Sequence, residues 1–116
     1  MIAVTGAAGF IGSALVWRLN QLGERDVLCV DTHASDAGQA NLAPLRYAAY
    51  LRHDAFLAGM RAGRWKGGLR GILHMGACSD TTEQDWAYLR ANNLEYSREL
   101  CTAALEQGVR FVHASS

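Results

Sequence analysis

Three glycines near the start of the chain stand where a phosphate group could approach the backbone. Gly6, Gly9 and Gly12 follow a short apolar run at 2–5 and precede a stretch with helical periodicity. In this order one glycine makes a tight turn, one admits the phosphates and one lets the helix pack closely on the strand. The helix N-terminus then presents free N–H groups to an anion. The spacing predicts a site for a dinucleotide pyrophosphate; the alternative is a strand–helix turn that binds nothing.

An acidic residue stands at the distance that such a site requires. Asp31 lies 19 residues after Gly12 and directly follows the apolar run 27–30. In dinucleotide-binding units a carboxylate at this point accepts a hydrogen bond from a ribose hydroxyl. Strand, glycines, helix and acid together predict a nucleotide-binding βαβ unit more specifically than the glycines alone.

Apolar periodicity along the chain indicates the elements that position these residues. The predicted strands are 2–5, 26–31, 69–75 and 109–114, and the predicted helices are 10–22, 55–62 and 83–107. We expect Asp54 to cap the second helix, and Gly23, Gly63 and Gly108 to follow the helix ends. The least regular stretch is 32–51, with a short helix expected near 41–45. Alternating strands and helices predict a three-layer α/β fold, a Rossmann-type doubly wound parallel sheet that stops after about five strands.

Composition excludes several classes of partner. Eleven basic and eleven acidic side chains cancel, so we expect no nucleic-acid partner and no membrane-surface partner. No apolar run approaches the roughly 20 residues that cross a bilayer. The three cysteines form no C-x-x-C pair, so we expect reduced thiols in a cytoplasmic protein. The four histidines show no metal-ligand spacing, so we interpret them as surface or packing residues and expect no metal.

Five short segments carry a family resemblance. They are T-G-A-A-G-F-I-G (5–12), V-D (30–31), H-M-G-A (74–77), N-N (92–93) and F-V-H-A-S-S (111–116). Together they resemble the extended short-chain dehydrogenase/reductases, the family of sugar-nucleotide epimerases and dehydratases. Within that family, H-M-G-A-C-S-D-T-T-E (74–83) and A-N-N-L-E-Y-S-R-E-L (91–100) are similar to the ADP-L-glycero-D-manno-heptose 6-epimerases of lipopolysaccharide core synthesis. The resemblance covers the whole chain, but only the N-terminal part of those enzymes.

The resemblance implies a role for each matching residue. Backbone contacts to the pyrophosphate would come from Gly6, Gly9, Phe10, Ile11 and Gly12. The adenosine ribose would meet Asp31 and Thr32. The cofactor would be lined, at and beyond the end of the strand predicted at 69–75, by Met75, Gly76, Ala77, Cys78 and Ser79. Asn92, with Asn93 as the alternative, would reach the cofactor from the long helix, and Ser116 matches the catalytic serine that hydrogen-bonds the reacting hydroxyl or carbonyl.

Several positions depart from the family pattern. Met75 stands where the family has a glutamate or similar residue, a change that a backbone contact tolerates. The lysines expected beside the 2′-phosphate of NADP are Gly38 and His53 here, with Arg46 and Arg52 as nearby substitutes. On family grounds we expect NADP as the cofactor. NAD stays open, because the carboxylate at 31 would repel a 2′-phosphate.

The catalytic Y-x-x-x-K of the family has no counterpart in the chain, since the only lysine is Lys66 and no tyrosine precedes it by four residues. We therefore expect residues 1–116 to form an incomplete dinucleotide-binding domain, inactive alone. The intact enzyme would invert C6 of the heptose by transient oxidation and reduction, bind a nucleotide-sugar substrate and form a homo-oligomer. Two alternatives remain: another sugar-nucleotide 4-epimerase or 4,6-dehydratase, and a non-catalytic dinucleotide-binding module.

Overall fold

A single parallel sheet organises the molecule. The structure, a computed structural model, describes residues 1–32, 36–75 and 86–114. Its strands are β1 (Ile2–Thr5), β2 (Val27–Asp31), β3 (Ala49–Arg52), β4 (Gly71–His74) and β5 (Arg110–His113). They lie in the order β3-β2-β1-β4-β5, and each neighbouring pair is parallel. The order reverses between β1 and β4, where such sheets leave a crevice beyond the carboxyl ends of the strands. The predicted doubly wound sheet is confirmed.

Four helices in the described part of the chain cover the two faces of the sheet. They are α1 (Phe10–Gln21), α2 (Asp36–Leu42), α3 (His53–Arg61) and α4 (Trp86–Glu106). Side chains of α1 and α2 share one buried cluster, and those of α3 and α4 share the other, so the three-layer architecture is confirmed. Among these helices, none combines the length and the apolar character needed to cross a bilayer.

The central strands are buried on both faces. Ala3 of β1 belongs to the cluster formed with α3 and α4, whereas Val4 belongs to the cluster formed with α1 and α2. Leu28 and Cys29 of β2 alternate in the same way. Successive side chains of a strand point to opposite faces, so a strand packed on both sides reads as a continuous apolar run. This packing fixes the carboxyl ends of β1, β2 and β4, from which the loops of the site emerge.

The least regular stretch of the sequence contains a helix and an unpredicted strand. The expected helix near 41–45 is wrong in its position, because α2 ends at Leu42 and a turn follows. β3 was missed because it is a partly exposed edge strand without a continuous buried run. Its pairing with β2, from Leu28 opposite Ala49 to Asp31 opposite Arg52, is a contact between distant parts of the chain.

The predicted cap of α3 is also wrong. The N-cap is Arg52, with extended backbone angles (φ −70°, ψ 152°). Asp54 lies within the first turn, where its carboxylate accepts the N–H of Ala55 at 2.9 Å. The expected helix-ending glycines are confirmed, since Gly63 follows the C-cap of α3 with φ +71° and the other two also have positive φ.

Candidate functional site

The turn between β1 and α1 depends on its glycines. Gly6 has φ +68°, a left-handed conformation that glycine adopts without a Cβ penalty, and its carbonyl accepts the N–H of Gly9 at 3.0 Å. Gly12 faces the same carbonyl from the first turn of α1. A Cβ built on Gly12 would lie 2.0 Å from the carbonyl oxygen of Gly6, inside any permitted contact. The helix therefore approaches the turn more closely than a side chain would allow.

The N-terminus of α1 presents donors without intrahelical acceptors. Gly9 is the N-cap and makes no side-chain capping bond, and the first N–H to bond back is that of Ser13, to the carbonyl of Gly9 at 2.9 Å. The N–H groups of Phe10, Ile11 and Gly12 precede it, and such groups have no partner within their own helix. The side chains of Phe10 and Ile11 are 87% and 63% exposed, and the first turn contains no acidic residue. An anion at this end would meet the positive end of the helix dipole.

The end of β2 is tied directly to this turn. One carboxylate oxygen of Asp31 accepts the N–H of Ala8 at 2.9 Å, and the other accepts the N–H of Thr32 at 2.7 Å. Asn41 of α2 donates to the carbonyl of the same Ala8 at 3.0 Å, and the hydroxyl of Tyr50 donates to the carbonyl of Thr32 at 2.9 Å. Asp31 and Asn41 thus hold the N–H and the carbonyl of Ala8 in the turn, and Tyr50 holds the carbonyl of Thr32 at the end of β2. Sequence reasoning found Asp31 but missed the two supporting side chains, which lie in the least regular stretch.

The end of β4 carries a buried histidine at the point where the strand order reverses. The side chain of His74 is 1% exposed, and its Nδ1 lies 2.6 Å from Oγ1 of Thr5. Its Nε2 lies 2.7 Å from Oγ of Ser97 on α4. Burial first, and then the charge of His113, lower the pKa of His74 to about 4, so the ring is neutral near pH 7. The next residue, Met75, is half-buried and donates its N–H to the carbonyl of Thr5 at 3.2 Å.

The comparisons with known proteins agree with this arrangement. The model of the NAD dependent epimerase/dehydratase family matches residues 2–116. The chain belongs to this family. The ADP-L-glycero-D-manno-heptose-6-epimerase of Nitratidesulfovibrio vulgaris is 46% identical to this family member over all 116 residues, which correspond to 36% of that enzyme. The chain therefore spans about a third of the length of the curated relatives that it matches.

Two solved structures of similar fold contain NAD. The UDP-glucuronic acid 4-epimerase of Bacillus cereus, in complex with NAD, superimposes with a TM-score of 0.76 at 25% identity, over 99% of this chain and 39% of that one. An enzyme of Bordetella bronchiseptica in complex with NAD and UDP superimposes with a TM-score of 0.70 at 28% identity, over 97% of this chain and 36% of that one. The resemblance to sugar-nucleotide epimerases is therefore confirmed, together with the relationship to a heptose epimerase.

The two arginines predicted beside the cofactor phosphate lie at opposite ends of β3 in this epimerase/dehydratase family member. The side chain of Asn20, near the end of α1, bonds both the N–H and the carbonyl of Arg46, at 2.8 and 2.9 Å. That segment runs past the amino end of β2, so the prediction is wrong for Arg46. Arg52 lies at the carboxyl edge, opposite Asp31 in the register, with its Nε 3.5 Å from the carboxylate of Asp54.

The remaining predicted site residues are only partly covered by the structure. Asn92 lies on α4, as expected, and Asn93 beside it is half-buried. Five predicted residues lie outside the described ranges: Gly76, Ala77, Cys78, Ser79 and Ser116. Their roles at the cofactor and in catalysis stay predictions.

Proposed function

We propose that this chain is the N-terminal, cofactor-binding part of a cytoplasmic epimerase that inverts C6 of the heptose in ADP-glycero-manno-heptose, a step of lipopolysaccharide core synthesis. The observation that carries the proposal is 46% identity across all 116 residues to a heptose epimerase. The two solved relatives, one of them a 4-epimerase, are only 25% and 28% identical. The difference favours the heptose reaction over inversion at C4.

The described residues fit a nicotinamide dinucleotide. The N–H groups of Phe10, Ile11 and Gly12 would bind the pyrophosphate, and the missing Cβ of Gly12 preserves the close approach of α1 to the turn. The carboxylate of Asp31 retains free lone pairs after accepting two backbone N–H groups, so it would also accept the ribose 3′-hydroxyl, which is free in both NAD and NADP. Thr32 would lie against the same ribose.

Each of the predicted site residues would have a distinct role in the reaction. When bound, the dinucleotide would supply a reversible hydride acceptor, which transient oxidation at the inverted carbon requires. The turn and Asp31 would hold the dinucleotide in one orientation. Met75, Gly76–Ser79 and Asn92 would line it, and Ser116 would hydrogen-bond the reacting oxygen. The family's tyrosine and lysine have no counterpart here, so the 116-residue chain would bind the cofactor without turnover.

We place NADP before NAD as the cofactor. Arg52 is the described cation nearest in register to Asp31, and an arginine in this position accommodates a 2′-phosphate in related folds. Titration of the protein with NADP and with NAD, side by side, tests the choice. Replacement of Arg52 by Ala should lower the affinity for NADP and leave the affinity for NAD unchanged. An equal loss of affinity for both dinucleotides would contradict a role at the 2′-phosphate.

A charge placed at the helix N-terminus tests the binding site itself. Ile11→Glu puts a carboxylate on an exposed position beside the proposed pyrophosphate site. Repulsion between this carboxylate and the pyrophosphate should lower the affinity for both dinucleotides by about tenfold or more. Leu22→Glu is the matched control, because Leu22 is 66% exposed at the opposite end of the same helix. Absence of dinucleotide binding in the wild type, or equal loss in both variants, would overturn the proposal.

The substrate is tested in the longer protein that contains this chain. Inversion of ADP-heptose at C6 supports the heptose assignment. Inversion of a UDP-sugar at C4 in its place would reassign the protein to the neighbouring 4-epimerases, and dinucleotide binding without turnover of any sugar nucleotide would leave a non-catalytic binding module.

A further inference from the structure

His74 joins three elements through its two ring nitrogens. Nδ1 bonds the hydroxyl of Thr5 at the end of β1, and Nε2 bonds the hydroxyl of Ser97 on α4. The rings of Tyr96, Phe111 and His113 lie 5.1–6.0 Å from the imidazole and restrict its plane. Through these contacts the imidazole links the end of β1 with α4.

The two residues that His74 contacts, Thr5 and Ser97, each lie close in sequence to residues of the proposed cofactor site. Thr5 directly precedes Gly6, the first residue of the phosphate-facing turn. Ser97 lies five residues after Asn92 on α4, about 7.5 Å along the helix axis. A displacement of either hydroxyl relative to the ring would therefore move a segment that faces the dinucleotide.

We propose that His74 is a positioning residue that sets the spacing between the glycine turn and α4, so that the two segments meet the dinucleotide as one unit. The inference rests on the proposed dinucleotide site. It assigns His74 no contact with the cofactor, because its side chain is buried.

The chemistry of a neutral imidazole makes the connection cooperative. One ring nitrogen donates and the other accepts, whereas each hydroxyl can do both. Whichever nitrogen carries the proton, the hydroxyl of Thr5 and that of Ser97 must take opposite roles at the ring. Removal of one hydroxyl therefore changes the hydrogen bond at the other, although the two side chains belong to different elements.

The test compares Ser97→Ala, Thr5→Val and the double variant. Each single variant should weaken dinucleotide binding by about fivefold, the usual effect of one lost hydrogen bond. The double variant should be hardly weaker than either single variant. Ser97→Thr, which keeps a hydroxyl at this position, should retain the wild-type affinity. Thr102→Ala is the control, because the exposed hydroxyl of Thr102 on α4 donates to the carbonyl of Arg98, one turn before it in the same helix.

Amide hydrogen exchange without any ligand provides the second readout. Ala7, Ala8 and Gly9 donate their N–H groups within the turn region, and these amides should exchange faster in Ser97→Ala than in Thr102→Ala. The proposal would be overturned if these amides exchanged equally fast in the two variants, or if Ser97→Ala bound the dinucleotide with unchanged affinity. It would also be overturned if the loss of affinity in the double variant equalled the product of the losses in the two single variants. If the wild type binds neither dinucleotide, the proposed function fails, whereas the exchange rates still decide whether His74 connects the turn with α4.

Discussion

The carboxylate of Asp31 accepts the backbone N–H of Ala8 at 2.9 Å, which joins the end of β2 to the turn between β1 and α1. The contact connects residues 23 positions apart in the sequence. Asp31 therefore acts as an acceptor within the protein, in addition to its proposed contact with a ribose. Because the turn also contains the glycines, the acid and the glycines form one structural unit.

Removal of the Asp31 carboxylate should destabilise the chain without any ligand. Hydrogen bonds to a charged acceptor contribute about 1.5–3 kcal/mol, so Asp31→Ala should lower the free energy of unfolding by that amount in urea denaturation at pH 7. Asp31→Asn keeps one acceptor oxygen and should lose about half as much. Asp26→Ala is the control, since the Asp26 side chain is 58% exposed and its carboxylate forms a surface ion pair with the N-terminal amine at 3.3 Å. Equal losses for Asp31→Ala and Asp26→Ala would contradict the structural role.

Gly12 should tolerate no side chain. A Cβ at this position would lie 2.0 Å from the carbonyl oxygen of Gly6, and both groups belong to backbone that cannot rotate away. We expect Gly12→Ala to lower the free energy of unfolding by more than about 3 kcal/mol. Gly68→Ala provides the comparison, because its Cβ would lie 3.7 Å from the nearest atom, an ordinary contact. The measurement is the midpoint of thermal or urea unfolding, and similar midpoints for the two variants would refute the clash.

The parts of the site that the sequence predicted are those determined by local geometry. Gly6 and Gly12 lie within one turn of chain, and the distance to Asp31 is set by one helix and one strand. Such spacings are read directly from the residue order, because each element has a fixed rise per residue. The same reasoning placed β1 and α1 correctly at their first residues.

The parts that the sequence missed depend on contacts between distant segments. β3 is a strand because it pairs with β2, and its half-exposed residues show no alternation that would reveal this. Arg46 was expected at the carboxyl ends of the strands because the position of β3 was unknown, whereas it precedes the amino end of β3. His74 looked like a packing residue, since nothing in the sequence indicates that Thr5 and Ser97 converge on its ring.

The thiol of Cys29 should be unreactive in the folded chain. Burial first, and then the charge of Asp31, raise the pKa of Cys29 to about 12, so only roughly one thiol in ten thousand is ionised at pH 8. We expect alkylation by iodoacetamide, followed by peptide mass spectrometry, to modify Cys29 only as fast as the chain unfolds. Cys101 on α4 is partly exposed and should react sooner in the same sample. Equal native-state rates for the two cysteines would show that the β2 core opens locally.

Acid should destabilise the fold through His74. An unfolded histidine has a pKa of 6.5, whereas burial, with a smaller effect of His113, lowers the pKa of His74 to about 4 in the folded chain. Between these values the unfolded state binds more protons, so the free energy of unfolding must fall as the pH decreases from 6.5 towards 4. The contribution is fully present above 6.5, and the slope approaches about 1.4 kcal/mol per pH unit within the window. Urea denaturation at half-unit intervals from pH 7.5 to 5 measures it.

Variants of the ring and of its neighbour separate this effect from other titrations. Among the described residues, two titratable side chains face His74: His113 from β5 and Tyr96 from α4. Burial raises the pKa of Tyr96, so that group stays neutral throughout the window. His74→Asn should lower the stability at pH 7 and remove most of the slope, whereas His113→Gln should retain most of it, because burial is the larger cause of the shift. A slope that persists in His74→Asn would assign the acid sensitivity to another group.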